Sequence, residues 1–230
     1  MAVSLSRRIL NARSLSLYVL SGTVIVTTVL VASAWLGLKL WEVGVFVLLA
    51  WCPCVLYLMS KLHRLYGWGM AFLFLLLITQ TAHLIEHTAQ VIELHILGLK
   101  GAQASGIIGQ LNTEWVHLIW NSWVLVFCFF LVYWFRKNYW LWGLAIFAVY
   151  HEAEHLYIIS VYLRTGIAGT PGFLGKGGLF WGGTPWIRPD VHFAYAVIEE
   201  ALLLAIFISE LRKASIKAAP ASGSRLALAS

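Results

Sequence analysis

Apolar residues in this chain gather into six blocks of about 20, each long enough to cross a hydrocarbon core of ~30 Å as a helix. The blocks are Leu17–Leu38, Val43–Leu62, Gly67–Leu97, Trp115–Phe135, Tyr139–Leu163 and Val191–Ile208. Runs of this length without strict alternation predict helices rather than strands. The expected fold class is therefore all-α: a polytopic integral membrane protein built as a six-transmembrane-helix bundle. Residues 1–213 read as one domain, and the Ala/Ser/Lys-rich 214–230 as a flexible tail with little to bury. The first block follows Arg7, Arg8 and Arg13 and contains Ala32-Ser33-Ala34, as a secretory signal would. It is longer than a signal core and is read as a retained helix.

Composition agrees with the pattern. Of 230 residues, 60% are hydrophobic and 11% charged, far from the usage of soluble globular domains. Charge then orients the bundle, because cytoplasmic loops collect Lys and Arg. With the N-terminus inside, the cytoplasmic side holds eleven basic residues: Arg7, Arg8, Arg13, Lys61, Arg64, Arg136, Lys137, Arg212, Lys213, Lys217 and Arg225. The other side keeps five: Lys39, Lys100, Arg164, Lys176 and Arg188. Both termini are expected in the cytoplasm, in a plasma or inner membrane. The net charge of +6 follows from this topology and calls for no nucleic acid.

The pattern breaks in the last four blocks, where ionisable residues fall inside apolar segments. Such residues are costly in lipid and mark functional sites by default. Two segments carry the same pentad, His-x-x-Glu-His, at His83–His87 and at His151–His155. Seven of eight histidines and six of ten acids lie in these four blocks, and a seventh acid, Glu114, directly precedes Trp115. At ~100° per residue, His83, Glu86, His87 and Gln90 share one face of the third helix, and His95 lies off it. Glu114, His117 and Asn121 share a face of the fourth. His151, Glu154 and His155 group on the fifth, with Glu152 nearer the edge, and His192, Tyr195 and Glu199 on the sixth. Counted from the loops, all lie at matching depth toward the extracytoplasmic side.

Imidazole and carboxylate at i, i+3 and i+4 are the ligands with which helical bundles hold metals. A metal also neutralises several buried carboxylates at once. The bland alternative is a network of His–Glu hydrogen bonds, or a proton path. Glu114-x-x-His117 and Glu152-x-x-His155, with Glu86 and Glu199 or Glu200, supply the ligand set of carboxylate di-iron bundles. The surplus histidines His83, His87, His151 and His192 point toward the histidine-richer sites of membrane di-iron hydroxylases and desaturases, whose usual box series is missing here. His151-Glu152-x-x-His155 also has the zincin form, with Glu152 as base, and both pentads have its inverted form. Bis-His haem needs one histidine from each of two helices, so i, i+4 pairs suit direct chelation better. Cys52-Pro53-Cys54 raises copper, against the simpler reading of a kinked, well-packed helix.

The expectation is a membrane-embedded metal-dependent oxidoreductase that activates oxygen at two iron ions, with zinc or copper as the alternative metals. Its metal ligands are His83, Glu86, His87, Glu114, His117, His151, Glu154, His155, His192 and Glu199; Tyr195 and Glu152 are catalytic candidates. Gln80, Gln90 and Asn121 would orient the ligands. A lipidic or hydrophobic substrate would enter laterally from the bilayer, and a redox partner or complex subunits would supply electrons. The competing classes are a zinc-dependent intramembrane hydrolase, a divalent-metal or proton transporter, and an accessory subunit of a redox complex. The Gly- and aromatic-rich connection Arg164–Pro189 reads equally as a lid over the site and as an interfacial anchor. Asp190 reads as the N-cap of the last helix.

Overall fold

The computed structural model describes residues 12–100 and 103–217. Among them six α-helices appear and no strand. They are α1 (Ala12–Leu36), α2 (Leu40–Tyr66), α3 (Trp68–His95), α4 (Glu114–Phe135), α5 (Tyr139–Thr165) and α6 (Arg188–Lys217), with a single 3-10 turn at Gly109–Leu111. Five helices are long and apolar enough to cross a membrane. The exception is α5, whose 27 residues suffice in length but whose middle holds two His and two Glu. Of the expected tail, 214–217 continue α6, and 218–230 lie outside the described residues.

Helix ends follow local chemistry. Thr113 caps α4 through its hydroxyl, which accepts from the Val116 amide. Asn138 caps α5 by accepting from the Trp140 and Leu141 amides, and its Nδ2 donates to Ser209 and Glu210 near the end of α6. One residue thus starts one helix and fixes another. The last helix begins at Arg188, not Val191, because Pro189 is tolerated in a first turn. Asp190 therefore lies inside that turn and is not the expected cap. Its carboxylate accepts from His95 Nε2 at 2.7 Å and ties the end of α3 to the start of α6.

Helices α3 to α6 form a four-helix ring. The closest partnerships are α3 with α6 and α4 with α5, and the ring closes through α3–α4 and α5–α6. Exchanging α3 for α5 and α4 for α6 maps this arrangement onto itself, an approximate twofold. Near one end the ring is filled by apolar side chains: Leu73, Leu76, Leu131, Leu141, Leu144, Leu203 and Ile206 are fully buried. Between apolar helices in lipid, association rests on close packing more than on water exclusion. Gly69 illustrates this, since a Cβ there would press on Trp134 and Phe135. α1 packs on α2, and α2 packs on α3. Both stay peripheral and mostly exposed, as lipid-facing helices would be.

Candidate metal centre

The other end of the ring is filled by imidazole. His83 and His87 from α3, His117 from α4, His151 and His155 from α5, and His192 from α6 are all buried. Their rings form one continuous stack of contacts. His87 lies 5.8 Å from His117 by ring centroid, His117 lies 5.7 Å from His155, and His155 lies 5.1 Å from His192. His192 closes the circuit to His87 at 6.0 Å. Residues spread over 110 positions meet because each helix turns its i, i+4 face inward.

Within each pentad the two imidazoles face one another in the same way. His83 and His87 place their Nε2 atoms 3.2 Å apart, and His151 and His155 do the same at 3.2 Å. Two nitrogens bound at about 2.1 Å to one ion, at an angle of about 90–110°, lie roughly 3.0–3.4 Å apart. The spacing thus suits a shared ion as well as a hydrogen bond. His151, His155 and His192 form the tightest triad, each offering a nitrogen within 4.8 Å of the others.

The outer nitrogens separate these two accounts. His87 Nδ1 faces Gln90 Oε1 at 3.1 Å, and Gln90 Nε2 donates to Glu86, which fixes the amide's orientation. His151 Nδ1 faces Glu199 Oε1 at 2.9 Å, and His192 Nδ1 faces the Arg188 carbonyl at 3.0 Å. All three partners are acceptors, so all three histidines carry hydrogen on Nδ1 and turn the Nε2 lone pair inward. Imidazoles that bind metals are held in this way. The inward nitrogen of His192 is buried and has no hydrogen-bond partner among the described residues, and neither has His155 Nδ1. Whichever tautomer His155 adopts, the cluster has more inward lone pairs than donors. A cation removes the deficit.

The carboxylates expected as ligands have other partners. Glu86 Oε2 accepts from the Ile107 and Ile108 amides at 2.9 and 3.1 Å. Glu154 Oε1 accepts from the Phe173 amide at 2.7 Å. Glu114 receives a two-pronged ion pair from Arg188, at 2.7 and 2.6 Å, together with the Gly169 amide at 2.9 Å. Each of these acids holds a connecting loop, because a carboxylate is the strongest acceptor available to loop amides in a dry setting. Glycine makes the approach feasible. Gly106 and Gly172 have φ of +71° and +75°, and a Cβ on either would collide with the Glu86 or Glu154 carboxylate.

Glu199 also sits behind the histidines. It holds His151 and accepts from Gln80 Nε2 at 2.6 Å, while Trp120 donates to Gln80 Oε1. Glu152, expected as a base, accepts from Ser122 on α4 at 2.7 Å through Oε1. Tyr195 packs its ring 4.9 Å from His151, and its hydroxyl pairs with that of Tyr150 at 2.8 Å. Asn121 bonds the His117 carbonyl. His117 Nε2 is itself held by Asn112. His95 lies apart at the surface, as its helical phase requires. Among the described residues, Cys52, Cys54 and Cys128 join no group of metal-ligating side chains.

A cavity of about 860 Å³ reaches His87, His117 and His192 from the loop end of the ring. Ser105, Asn112, Thr113, Glu114 and Arg188 give it polar walls. The connection between α5 and α6 contributes Ala168 and Gly169 to those walls, while Trp181 at its tip is 96% exposed. One loop thus covers the site and also presents an aromatic outward. Sequence reasoning missed Asn112, Arg188 and the glycine–amide clasps. Arg188 had one signal, being a basic residue at the mouth of a ligand-bearing helix.

Comparison with known protein families, curated proteins and solved structures finds no match.

Proposed function

We propose that the six histidines bind a pair of metal ions, and that the chain is a membrane-embedded, metal-dependent oxidoreductase. The observation that carries this reading is the polarity shared by His87, His151 and His192, whose outer nitrogens are held by acceptors, together with two Nε2 pairs that converge at 3.2 Å. Two three-histidine halves, without thiolates and facing a cavity, leave coordination positions for oxygen and substrate. Iron is the first assignment, and imidazole also suits zinc and copper. Because Glu86, Glu114 and Glu154 are held by loops, the site is histidine-rich and departs from a carboxylate di-iron set.

The reading places all six helices across the bilayer, α5 included, since its cluster residues share their depth with those of α3, α4 and α6. Lys61, Arg64, Arg136 and Lys137 then lie on the cytoplasmic side with both termini, and the metals lie toward the opposite face. Cavity geometry favours substrate entry at the loop end over lateral entry. An amphiphilic or small organic substrate, with electrons from a redox partner, suits those walls. A metal or proton pathway would need polar steps through the leucine-filled half of the ring, and that half is closed. Zinc hydrolysis through His151-Glu152-x-x-His155 lacks its base, since Glu152 is turned to Ser122.

Metal analysis of purified protein, with an optical spectrum, tests the reading. About two iron ions per chain and no Soret band are expected. Stoichiometric zinc would move the protein to the hydrolases, and a Soret band would make it a haem protein. Folded, active and metal-free His83→Ala and His155→Ala variants would end the metal assignment.

A further inference from the structure

A second pocket, of about 370 Å³, lies between α1 and α2, away from the cluster of six histidines. Its walls are Tyr18, Pro53, Leu56, Tyr57, Ser60, Lys61 and Arg64. The start of α2 approaches the loop over the cluster, with Gly44 against Ile107, so Lys61 and Arg64 lie at the opposite end of the molecule. Pro53 is eleven positions before Arg64, so the slot runs about 16 Å along the helix axis. It is charged and hydroxylic at its mouth, through Lys61, Arg64 and Ser60, and apolar at its base, through Leu56 and Pro53.

Three observations show that the mouth is in want of an anion. Neither Lys61 nor Arg64 forms an ion pair among the described residues. Lys61 Nζ instead rests 5.6 Å from the centroid of the Tyr57 ring, which lies 4.9 Å from the ring of Tyr18. The Tyr57 hydroxyl is buried and has no hydrogen-bond partner among the described residues. The two cations can only donate, and the serine hydroxyl and the unpartnered phenol each have an O–H to donate. A phosphodiester offers the matching acceptors, and its acyl chains would follow the apolar base of the slot. Basic pockets between membrane helices recognise anionic lipid headgroups in this manner.

We propose that the α1–α2 slot is a binding site for an anionic phospholipid, its phosphate held by Lys61, Arg64 and Ser60. Cys52-Pro53-Cys54 then has a structural use, since Pro53 forms the inner wall of the slot. The test is native mass spectrometry of the full chain exchanged into phosphatidylglycerol or phosphatidylcholine, with melting temperature as a second readout. Wild type should retain phosphatidylglycerol selectively, and Lys61→Gln/Arg64→Gln should lose that retention by at least about tenfold, as expected for two headgroup charges. Arg136→Gln/Lys137→Gln, at the same end but outside the pocket, should retain it. Equal loss in both double variants would reduce the effect to general surface charge and overturn the site. Tyr57→Phe, which keeps the ring and cannot disturb folding by cavity formation, should weaken retention without moving the melting temperature in phosphatidylcholine. Unchanged retention in both Tyr57→Phe and Lys61→Gln/Arg64→Gln would also overturn it. Inorganic phosphate alone should leave the melting temperature unchanged; stabilisation equal to that by phosphatidylglycerol would assign the pocket to free phosphate and reject the lipid. Metal content is indifferent to all these variants, so the outcome is independent of the histidine centre.

Discussion

The pentads at His83–His87 and His151–His155 share a sequence pattern and an Nε2 separation of 3.2 Å, and in both the glutamate holds a loop through a glycine turn. They differ in what stands behind the histidines. His87 leans on a neutral amide, Gln90, whereas His151 leans on a carboxylate, Glu199, which is itself fixed by Gln80. A carboxylate partner makes an imidazole a better metal ligand. The second pentad also has His192 close enough to form a triad, while His117 on the other side is held by Asn112. Two halves of common design are therefore tuned unequally, and the α5–α6 half should bind first and tightest.

The sharpest way to break this comparison is to delete one ligand from each half. His155→Ala should leave under about one ion per chain, because only the weaker half remains intact, while His87→Ala should keep about one, if three histidines suffice for a site. Titration with metal and elemental analysis read the result, and the reverse ranking would sink the proposed asymmetry. A smaller effect is expected behind the ligands. Glu199→Gln should weaken the tighter site by roughly 10–100-fold, and Gln90→Leu the weaker one by less. Competition with a chelator measures both, and equal losses would show that the carboxylate confers no advantage. The smallest change concerns the clasps. Gly106→Ala and Gly172→Ala should each destabilise by about 1–3 kcal/mol through backbone strain and lost amide bonds. The first should cost more, because Glu86 holds two amides and Glu154 one. Thermal unfolding in detergent reports the order, and unchanged melting would remove the clasp argument.

Much of this arrangement was legible in the sequence because helical phase and burial in lipid are simple constraints. Block lengths located α1 to α6 to within a few residues, apart from the ends of α1 and α6. Angular position brought His83, His87, His117, His151, His155 and His192 to one interior face and sent His95 elsewhere. Phase alone could not assign the carboxylates. Glu86, Glu114 and Glu154 point inward as expected, yet their partners are amides of distant loop segments, and no periodicity reports where a loop returns. Glu152 has its partner elsewhere for a different reason: a residue at the edge of a stripe can serve either neighbour, and its Oε1 accepts from Ser122 on α4. Asn112 and Arg188 belong to loop and helix mouth, where spacing carries no signal.

The polar middle of α5 also bears on how the chain is assembled. One buried glutamate, Glu154, one half-buried glutamate, Glu152, and two buried histidines make this helix the one described element that falls short of the apolarity of its neighbours. Yet only three residues, Arg136–Asn138, separate it from α4, its closest partner. A segment that membrane insertion machinery would release reluctantly on its own arrives already beside the helix that covers it. With α5 across the bilayer as proposed, the α4–α5 hairpin would be the natural unit of biogenesis, and the histidine-bearing face of α5 would not meet lipid while the remaining helices are still being made.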